Sequence, residues 1–500
     1  MGKFQLLQLL FTHPSEFAAM AQYWLYHSDQ KRDITNPKEF KTTGYDRETM
    51  KKCWHFLDMT SRSFAMVIKE LDGDLARVIA LFYLVLRGLD TVEDDMTLSD
   101  EIKQPILRTF HQKLTVEGWT FDGCGPNEKD RQLLVEFDNV VAEMGLLEKE
   151  ARDVIIDITH KMETGMADFA HRAAISKSAP YLTTIVEFDL YCHYVAGLVG
   201  EGLSRLFAAT GKEGPWIAEQ LVLSNSMGLL LQKTNILRDY REDCDEQRYF
   251  WPQEIWGRYG FKRPEDMYVL DSQGKTDDRA MWALSEMTLN ALSHCIDALD
   301  YLVLLKNQTV FNFCAIPAVM AIATLELCFM NPAVFQRNIK IRRGETVGLI
   351  MRSTDPRSAA YIFRDYARKI HKKAVPADPN YLGICAMWGK IEVWCEQHFP
   401  SFVSFNEDKK VQYAPSDPRS RTVNRYLEMR RKELNQPPTR GDQPVPWQMY
   451  AFVLGMTAFL FLVAGVFTLS GLYYFYGEEW TWKDLGRPGF GKIQDQTVLQ

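Results

Sequence analysis

The chain has 500 residues, of which 46% are hydrophobic and 25% are charged, and its formal net charge is −7. This composition is typical of a globular protein with a large core, and the negative charge argues against a nucleic-acid binder, which normally carries a basic face. The nine cysteines are odd in number and form no Cys-x-x-Cys pair, so we expect free thiols in a reducing compartment, without a disulfide framework or a structural zinc site.

The first 35 residues are predicted to form an N-terminal helical arm. The opening segment MGKFQLLQLLFTHPSEF is only weakly apolar, and His13-Pro14 interrupts it. The apolar run is therefore too short for a signal peptide, and no small-residue cleavage site follows it.

Residues 36–410 are predicted to form one all-α domain, a single large helix bundle. Apolar residues recur every three or four positions, as in RVIALFYLVLRGLDTVEDD, and alternating β-branched runs bounded by hairpin turns are missing. Ser61 is a candidate helix N-cap, and Gly44 and Gly73 are expected near helix boundaries. The inward faces of such a bundle can hold a functional site.

Two helices of this domain share the acidic pattern Asp-x-x-Glu-Asp, which places carboxylates on one helix face. The motif residues are Asp90, Glu93 and Asp94 on the first helix, and Asp239, Glu242 and Asp243 on the second. At about 100° per residue, Tyr83 and Arg87 extend the first polar line, and Gln232 and Asn235 extend the second. Asp95 falls about 100° beyond Asp94 and is expected to be a solvated neighbour.

Facing carboxylates inside a bundle are costly unless cations lie between them. Magnesium is usually held by a few carboxylates together with substrate phosphates. We therefore predict a site in which Mg²⁺ ions bridge the aspartates and a diphosphate, while Arg87, Arg238 and Arg248 bind the remaining phosphate oxygens. The alternative for a single motif is a solvated acidic face, which the repetition of the motif makes less favourable.

A diphosphate held in this way is a stabilised leaving group. If the rest of the substrate is an allylic chain, a carbocation remains, and it requires an apolar pocket without water. Aromatic faces can stabilise the cation. The candidates are Phe64, Tyr83, Tyr191 and Phe313, although each of them also suits ordinary core packing.

The C-terminal region is predicted to anchor the chain in a membrane. Residues 449–476 contain no charged side chain and are flanked by aromatic residues, so we predict a transmembrane helix over 447–476. A basic, then Pro/Gly-rich linker over 411–446 precedes it, and a short lumenal tail over 477–500 follows. The excess of Lys and Arg before the span predicts a tail-anchored protein of the endoplasmic reticulum with its catalytic domain in the cytosol. A second apolar stretch, 311–330, is interrupted by Pro317 and Glu326 and is predicted to be a buried helix.

The chain resembles the squalene synthase (farnesyl-diphosphate farnesyltransferase) family of the trans-isoprenyl diphosphate synthase-like group. The resemblance rests on FYLVLRGLDTVEDD, YCHYVAGLVG, SMGLLLQKTNILRDYRED, YFWPQEIW and VFNFCAIPAVMAIATL, which occur in the family's order over most of residues 55–350. The C-terminal anchor also matches. Related phytoene synthases share the acidic motifs but lack the FNFCAIP block and the anchor. The resemblance implies an isoprenoid synthase fold.

The resemblance implies a two-step reaction. Two farnesyl diphosphates condense head to head with Mg²⁺ to give presqualene diphosphate, and a second ionisation and rearrangement then end with hydride transfer from NADPH to give squalene. This is the first committed step of sterol synthesis. The enzyme is expected to be a monomer that binds no nucleic acid.

The resemblance also implies roles for individual residues. Metal would be held by Asp90, Glu93, Asp94, Asp239 and Asp243. Tyr191 matches the tyrosine proposed for proton removal, and Phe64 and Phe313 match aromatics of the pocket where hydride arrives. The substrate would contact Ser61, Ser63, Tyr83, Gln232, Asn235 and Arg248. The resemblance implies that the cofactor contacts Arg62, Arg87, Arg238, Lys340 and Arg342. No Gly-x-Gly-x-x-Gly fingerprint is found, and the family binds NADPH without that fold.

Several alternatives stay open at this point. Gly197, Gly200 and Gly202 leave room either for the substrate chain or for close helix packing. Arg241 departs from the family pattern inside the second motif and is expected to face outward. A prenyl synthase that stops before reduction, phytoene-like or dehydrosqualene-like, is the rival enzyme. A non-catalytic, tail-anchored scaffold is the rival of another class.

Overall fold

The computed structural model describes residues 9–26, 32–61, 63–175, 182–401 and 447–476. Within these ranges the secondary structure is helical and contains no β-strand, although Leu270 and Thr276 form one isolated antiparallel bridge. The predicted all-α class is therefore confirmed. The linker over 411–446 and the tail over 477–500 lie outside the described residues, and the domain boundaries stay predictions.

The helices that precede the centre of the chain are α1 (Pro14–Tyr26), α2 (Phe40–Thr43), α3 (Glu48–Ser61), α4 (Ser63–Lys69), α5 (Leu75–Asp94), α6 (Asp100–Leu107), α7 (Phe110–Lys113), α8 (Arg131–Val135), α9 (Asp138–Gly145), α10 (Lys149–Ile175), α11 (Ile185–Cys192) and α12 (Leu198–Ala209). A π-helical segment, His193–Gly197, joins α11 to α12. Such segments are frequent at functional sites.

The remaining helices are α13 (Leu221–Arg238), α14 (Tyr240–Asp245), α15 (Gln253–Arg258), α16 (Asp278–Leu292), α17 (Cys295–Leu304), α18 (Gln308–Cys328), α19 (Arg343–Arg352), α20 (Pro356–Lys373), α21 (Tyr381–His398) and α22 (Trp447–Tyr476). Short 3₁₀ turns lie at Pro37–Glu39, Pro215–Glu219, Pro264–Tyr268 and Pro332–Phe335.

Helix α13 lies at the centre of the domain, where it packs against α12, α16, α17, α18 and the π-helical segment. Glycine residues allow α12 and the π-helical segment to approach α13 closely. A Cβ atom at Gly200 would lie 2.3 Å from the Ser224 carbonyl oxygen, and one at Gly228 would lie 2.4 Å from the Ala196 carbonyl oxygen. The glycines of α12 and its π-helical segment therefore serve close packing between helices, which settles the alternative that the sequence left open.

Helix boundaries follow the sequence closely but not everywhere. Gly44 ends α2 with φ of +66°, and Gly73, with φ of +63°, follows α4, as expected. The expectation that Ser61 is an N-cap was wrong, because Ser61 is the last residue of α3. The second acidic motif also lies on two helices instead of one, since α13 ends at Arg238 and Asp239 stands at the junction with α14.

Among the residues that the structure describes, two helices are long and apolar enough to cross a membrane, and they differ in burial. Two thirds (67%) of the most apolar part of α18 is buried, which confirms the prediction of a core helix for 311–330. In α22, the segment Tyr450–Ser470 has a mean hydropathy of 2.3 and no buried residue. The chain divides into two compact units, residues 1–441 and 442–500, and α22 belongs to the second unit.

All nine cysteines are free thiols. Cys192, Cys314 and Cys328 are buried among apolar side chains, as the sequence predicted. The buried thiols have pKa values raised by burial, as for Cys328, whose pKa is raised to about 12. They act as small core residues and not as nucleophiles.

Candidate active site

A cavity of about 420 Å³ lies inside the bundle, between α5, α10, the α11–α12 pair, α13 and α18. The sequence-predicted residues that line it are Phe64, Tyr83, Arg87, Asp90, Glu93, Asp94, Tyr191, Gln232, Asn235, Asp239, Asp243, Arg248 and Phe313. Both acidic motifs and the four candidate aromatic side chains thus meet around one space. The remaining wall is largely aliphatic and includes Ile79, Met162, Val199 and Leu231.

The first acidic motif occupies the last turn of α5. The oxygen atoms that Asp90, Glu93 and Asp94 can offer to a metal lie within 4.8 Å of one another. Negative charge at a helix C-terminus opposes the helix dipole, so this position is unfavourable for three carboxylates. The buried Lys103 relieves part of the cost, because its Nζ donates a hydrogen bond to the Glu93 carbonyl oxygen at 2.7 Å.

The environment of this motif favours protonation when no other cation is present. Burial and the charge of Asp94 raise the pKa of Asp90 to about 7, against the opposing effect of Arg87. Burial, together with Asp94 and Asp90, raises the pKa of Glu93 well above its usual range. A divalent cation could displace these protons, and its charge would then offset the mutual repulsion of the carboxylates.

Arg87 connects the polar residues of α5. Its Nη1 donates to Asp90 Oδ2 at 2.6 Å, and its Nε and Nη2 each lie 3.3 Å from the Tyr83 hydroxyl oxygen. Its Nε also lies 3.8 Å from a carboxylate oxygen of the buried Asp130. The guanidinium is therefore held at the cavity by contacts within the protein.

The second acidic motif is held by side chains from outside it. Arg238 donates to both carboxylate oxygens of Asp239, at 2.8 and 2.5 Å. Asn338 donates its side-chain amide to Asp239 at 2.5 Å and to Glu242 at 2.7 Å. These contacts turn Asp239 into an oriented acceptor at the junction between α13 and α14.

Arg248 joins the two motifs. Its Nη1 donates to Asp94 Oδ1 at 2.9 Å, and its Nη2 donates to Asp243 Oδ1 at 3.0 Å. Burial raises the pKa of Asp243 to about 7, partly opposed by the charge of Arg248. The Nε atom of Arg248 is buried and has no hydrogen-bond partner among the residues that the structure describes. One guanidinium therefore spans the space between the acidic helices and keeps a donor free for another acceptor.

Tyr191 lies beside the first motif and is 7% exposed. Its ring stacks on Phe250 at a centroid distance of 5.2 Å and meets the ring of Phe169 edge to face at 5.3 Å. Burial, and then the charges of Glu93 and Asp94, raise the pKa of Tyr191 well above its usual range. The phenol therefore keeps its proton at neutral pH.

Some predicted residues lie away from the cavity. Ser61 is buried and does not line it, and its hydroxyl has no hydrogen-bond partner. Lys340 is exposed in the segment between Asn338 and α19. Arg342 donates to Glu16 of α1, at 3.0 Å from Nε and 2.8 Å from Nη2. Arg62 and the side chain of Ser63 lie outside the described residues.

The sequence predicted that Asp95 is solvated and that Arg241 faces outward, and the two predictions have different outcomes. The expectation that Asp95 is solvated was wrong: it is 2% exposed and accepts hydrogen bonds from Thr97 and from the Gly125 backbone. These hydrogen bonds outweigh burial and lower the pKa of Asp95. Arg241 does not line the cavity, as expected, and pairs with Asp245 at 2.9 Å.

Several site residues were missed in the sequence. Asp130, Phe250 and Asn338 each contact a residue of the cavity wall. Phe250 belongs to a stretch that resembles the family, and Asn338 lies two residues before Lys340. Asp130 carries no local signal, because its contact with Arg87 joins positions that are far apart in the sequence.

Comparison with known proteins gives concordant results. The family model described as "Squalene/phytoene synthase" matches residues 57–345. The squalene synthase of Ganoderma lucidum is 57% identical over 432 residues, which cover 85% of this chain and 92% of that protein. The squalene synthase of Schizosaccharomyces pombe is 53% identical over 353 residues, which cover 71% and 75% of the two chains. The solved structure of TcSQS with the ligand E5700 is similar, with a TM-score of 0.65 at 38% identity, covering 70% of this chain and 98% of that one.

Proposed function

Because this chain belongs to the squalene/phytoene synthase family and has squalene synthase function, we propose that the cavity between its two acidic motifs is where two farnesyl diphosphates bind and react. The observation that carries this proposal is the position of Arg248, which joins Asp94 of one motif to Asp243 of the other beside a largely apolar cavity. Charged groups for a diphosphate and apolar walls for a prenyl chain are thus found together.

We propose that the acidic residues hold Mg²⁺. The donors are carboxylate oxygens throughout, and burial raises the pKa values of Asp90 and Asp243 to about 7, an effect that a bound cation would oppose. Asp90, Glu93 and Asp94 would hold metal on one side, and Asp239 and Asp243 on the other. Bound Mg²⁺ would supply positive charge to the diphosphate as its bond to carbon breaks.

The arginines would complete the diphosphate site. Arg248 carries an unused buried Nε donor, and Arg87 lies at the same cavity. When the C–O bond of the donor substrate breaks, the diphosphate keeps the electron pair, and charge-assisted hydrogen bonds from these guanidinium groups stabilise it. Gln232 and Asn235 line the polar side of the cavity on α13, where they would contact substrate.

The apolar walls would protect the allylic cation that remains. Tyr83, Phe64 and Phe313 present aromatic surface to the cavity, and the aliphatic side chains between them exclude water. The double bond of the acceptor substrate can then attack the cation before water does. The product of this step keeps the second diphosphate.

Tyr191 would relay the proton that is lost when the cyclopropane ring closes. Its raised pKa makes the phenolate unavailable at neutral pH. The phenol oxygen can accept the substrate proton as it passes its own proton to the released diphosphate. Its stacked position against Phe250 fixes the direction of the hydroxyl group.

NADPH would supply the hydride for the second half-reaction. Lys340 and Arg342 are exposed basic side chains that suit its phosphates, with Arg238 nearer the second motif. The segment that carries Lys340 is tied to that motif by Asn338. Arg342 is paired with Glu16, so a phosphate would have to replace this carboxylate.

We propose that α22 anchors the enzyme in the endoplasmic reticulum membrane with the catalytic domain in the cytosol. Its exposed, charge-free apolar surface and the basic residues before it support this arrangement. We expect the enzyme to act as a monomer.

Product analysis tests the proposal. The full-length enzyme in detergent should convert farnesyl diphosphate to squalene with Mg²⁺ and NADPH, and to presqualene diphosphate when NADPH is omitted. Lys340→Ala combined with Arg342→Ala should impair the reductive half alone. Failure to consume farnesyl diphosphate, or consumption that persists without a divalent cation, would contradict the proposed site.

A further inference from the structure

A cluster of metal-ligating side chains lies outside the reaction cavity. His160 and Glu163 belong to α10, and His111 belongs to α7. The atoms that these three residues can offer to a metal lie within 4.8 Å of one another. None of them lines the cavity, although their neighbours on α10, Met162 and Met166, do.

The two imidazole rings of the cluster meet at one carboxylate oxygen of Glu163. Glu163 Oε1 is contacted by His160 Nδ1 at 3.0 Å and also by His111 Nδ1. The two imidazole centroids are 4.2 Å apart. Two ligands of one tetrahedral zinc ion lie about 3.3 Å apart, so small side-chain rotations would admit an ion between the three atoms.

The carboxylate of the cluster is already oriented. The Glu163 side chain is 1% exposed, and its Oε2 accepts the His111 backbone N–H at 2.8 Å. A buried carboxylate needs a cation or several hydrogen bonds. Two neutral imidazoles and one carboxylate are the ligands of a borderline cation such as Zn²⁺, unlike the all-oxygen donors of the reaction cavity.

We propose that His111, His160 and Glu163 form a second metal site, which takes Zn²⁺ or a similar late transition-metal ion and leaves one coordination position to water. The His160 side chain is 58% exposed, so the ion can enter from solvent. Binding at Nδ1 would leave the single proton of each neutral imidazole on Nε2, and the shared ion would fasten α7 to α10.

Metal titration of the full-length, untagged enzyme in detergent tests the site. After chelation, excess Mg²⁺ would be added to occupy the oxygen sites, and Co²⁺ or Zn²⁺ would then be titrated. We expect one tight ion per chain by calorimetry, a visible absorption band of four-coordinate Co²⁺, and a higher melting temperature with Zn²⁺.

The variants separate this site from others. His160→Ala, at an exposed position, should weaken the tight event more than about tenfold and remove the Co²⁺ band. His171→Ala is the matched control, because His171 lies on the same helix, outside the cluster, and pairs with Asp100 at 2.6 Å. Absence of a tight event would overturn the proposal. So would an event that survives His160→Ala, or one that is lost only in Asp243→Asn.

Discussion

The guanidinium of Arg248 lies between the carboxylates of Asp94 and Asp243, which would repel each other without it. Asp94 and Asp243 are separated by most of the domain in sequence, and the guanidinium lies within 3.0 Å of both. A group with a fixed fork of donors suits this position better than a lysine. In the reaction, the same group would change partners from carboxylate to diphosphate.

We predict that Arg248→Ala lowers the rate constant for farnesyl diphosphate consumption by about 100-fold, the effect of removing one donor to a developing anion. Arg241→Ala is the control, because Arg241 pairs with the half-exposed Asp245 away from the cavity. Its rate should stay within about twofold of the unchanged enzyme. Steady-state kinetics decide, and equal losses in both variants would contradict a role of Arg248 in binding the leaving group.

At the scale of the element, much of the site could be predicted from the sequence. The spacing of Asp90, Glu93 and Asp94 on one helix face, and the burial of α18 despite its hydropathy, follow from local patterns. The break of the second helix at Asp239 was missed, because a carboxylate at a helix junction has the same spacing in the sequence as one inside a helix.

Contacts between distant segments were the part that could not be predicted. Asp95 has an exposed position on an isolated helix, yet the loop that carries Gly125 covers it. Asn338 reaches the second motif from nearly a hundred residues away. Helical periodicity defines which residues share a face but does not identify the segment that packs against it.

Glycine at the contact between α12 and α13 gives a prediction about packing. Gly200→Ala should destabilise the fold by about 1–3 kcal/mol, because the new methyl group meets the Ser224 backbone. Gly348→Ala in α19 has open space and should stabilise by about 0.5–1 kcal/mol. Thermal unfolding of the two variants measures both effects. Equal and small changes would show that the close approach is absent.

The contact between α1 and α19 gives a prediction about the cofactor. Glu16→Gln should remove the shorter ion pair of Arg342, leaving the pair with Glu345 at 3.4 Å, and should lower the KM for NADPH by about two- to fivefold, the range for an ion pair at a surface. The KM for farnesyl diphosphate should not change. Glu48→Gln, which removes the exposed partner of Lys51, is the control. An unchanged KM for NADPH in Glu16→Gln would contradict a role of Arg342 in binding the cofactor.

At the scale of the whole molecule, the chain combines a helix bundle with a separate apolar helix. The bundle has a continuous apolar core, and α22 has no charged side chain. In the sequence, the charge-free run over 449–476 predicts this apolar helix, and the domain boundaries stay predictions. Carboxylates with raised pKa values face each other at the centre of the bundle, and this arrangement costs stability.

This cost predicts how stability depends on pH. The pKa values of Asp90 and Asp243 are about 7 in the fold, well above the value of about 4 in an unfolded chain. The folded state therefore binds protons more tightly, and metal-free stability should fall as the pH rises from about 4 to about 7 and then level off. Mg²⁺ should raise the melting temperature more at pH 8 than at pH 6, since it no longer competes with protons.

Thermal unfolding with and without Mg²⁺ measures this dependence. Asp243→Asn removes one of the groups whose pKa is raised, so its metal-free melting temperature should fall less between pH 5 and pH 8. The same fall in Asp243→Asn as in the unchanged protein would assign the pH dependence to other groups.

The most direct test of a shared metal and diphosphate site is the Mg²⁺ dependence of farnesyl diphosphate consumption in Asp243→Asn and Asp245→Asn. Asp243 is 11% exposed at the cavity, whereas Asp245, two residues away, is 55% exposed and pairs with Arg241. We expect Asp243→Asn to need at least about tenfold more Mg²⁺ for half-maximal rate and to react more slowly. Asp245→Asn should match the unchanged enzyme. An identical Mg²⁺ requirement and rate in the two variants would contradict the assignment of the facing motifs to metal binding.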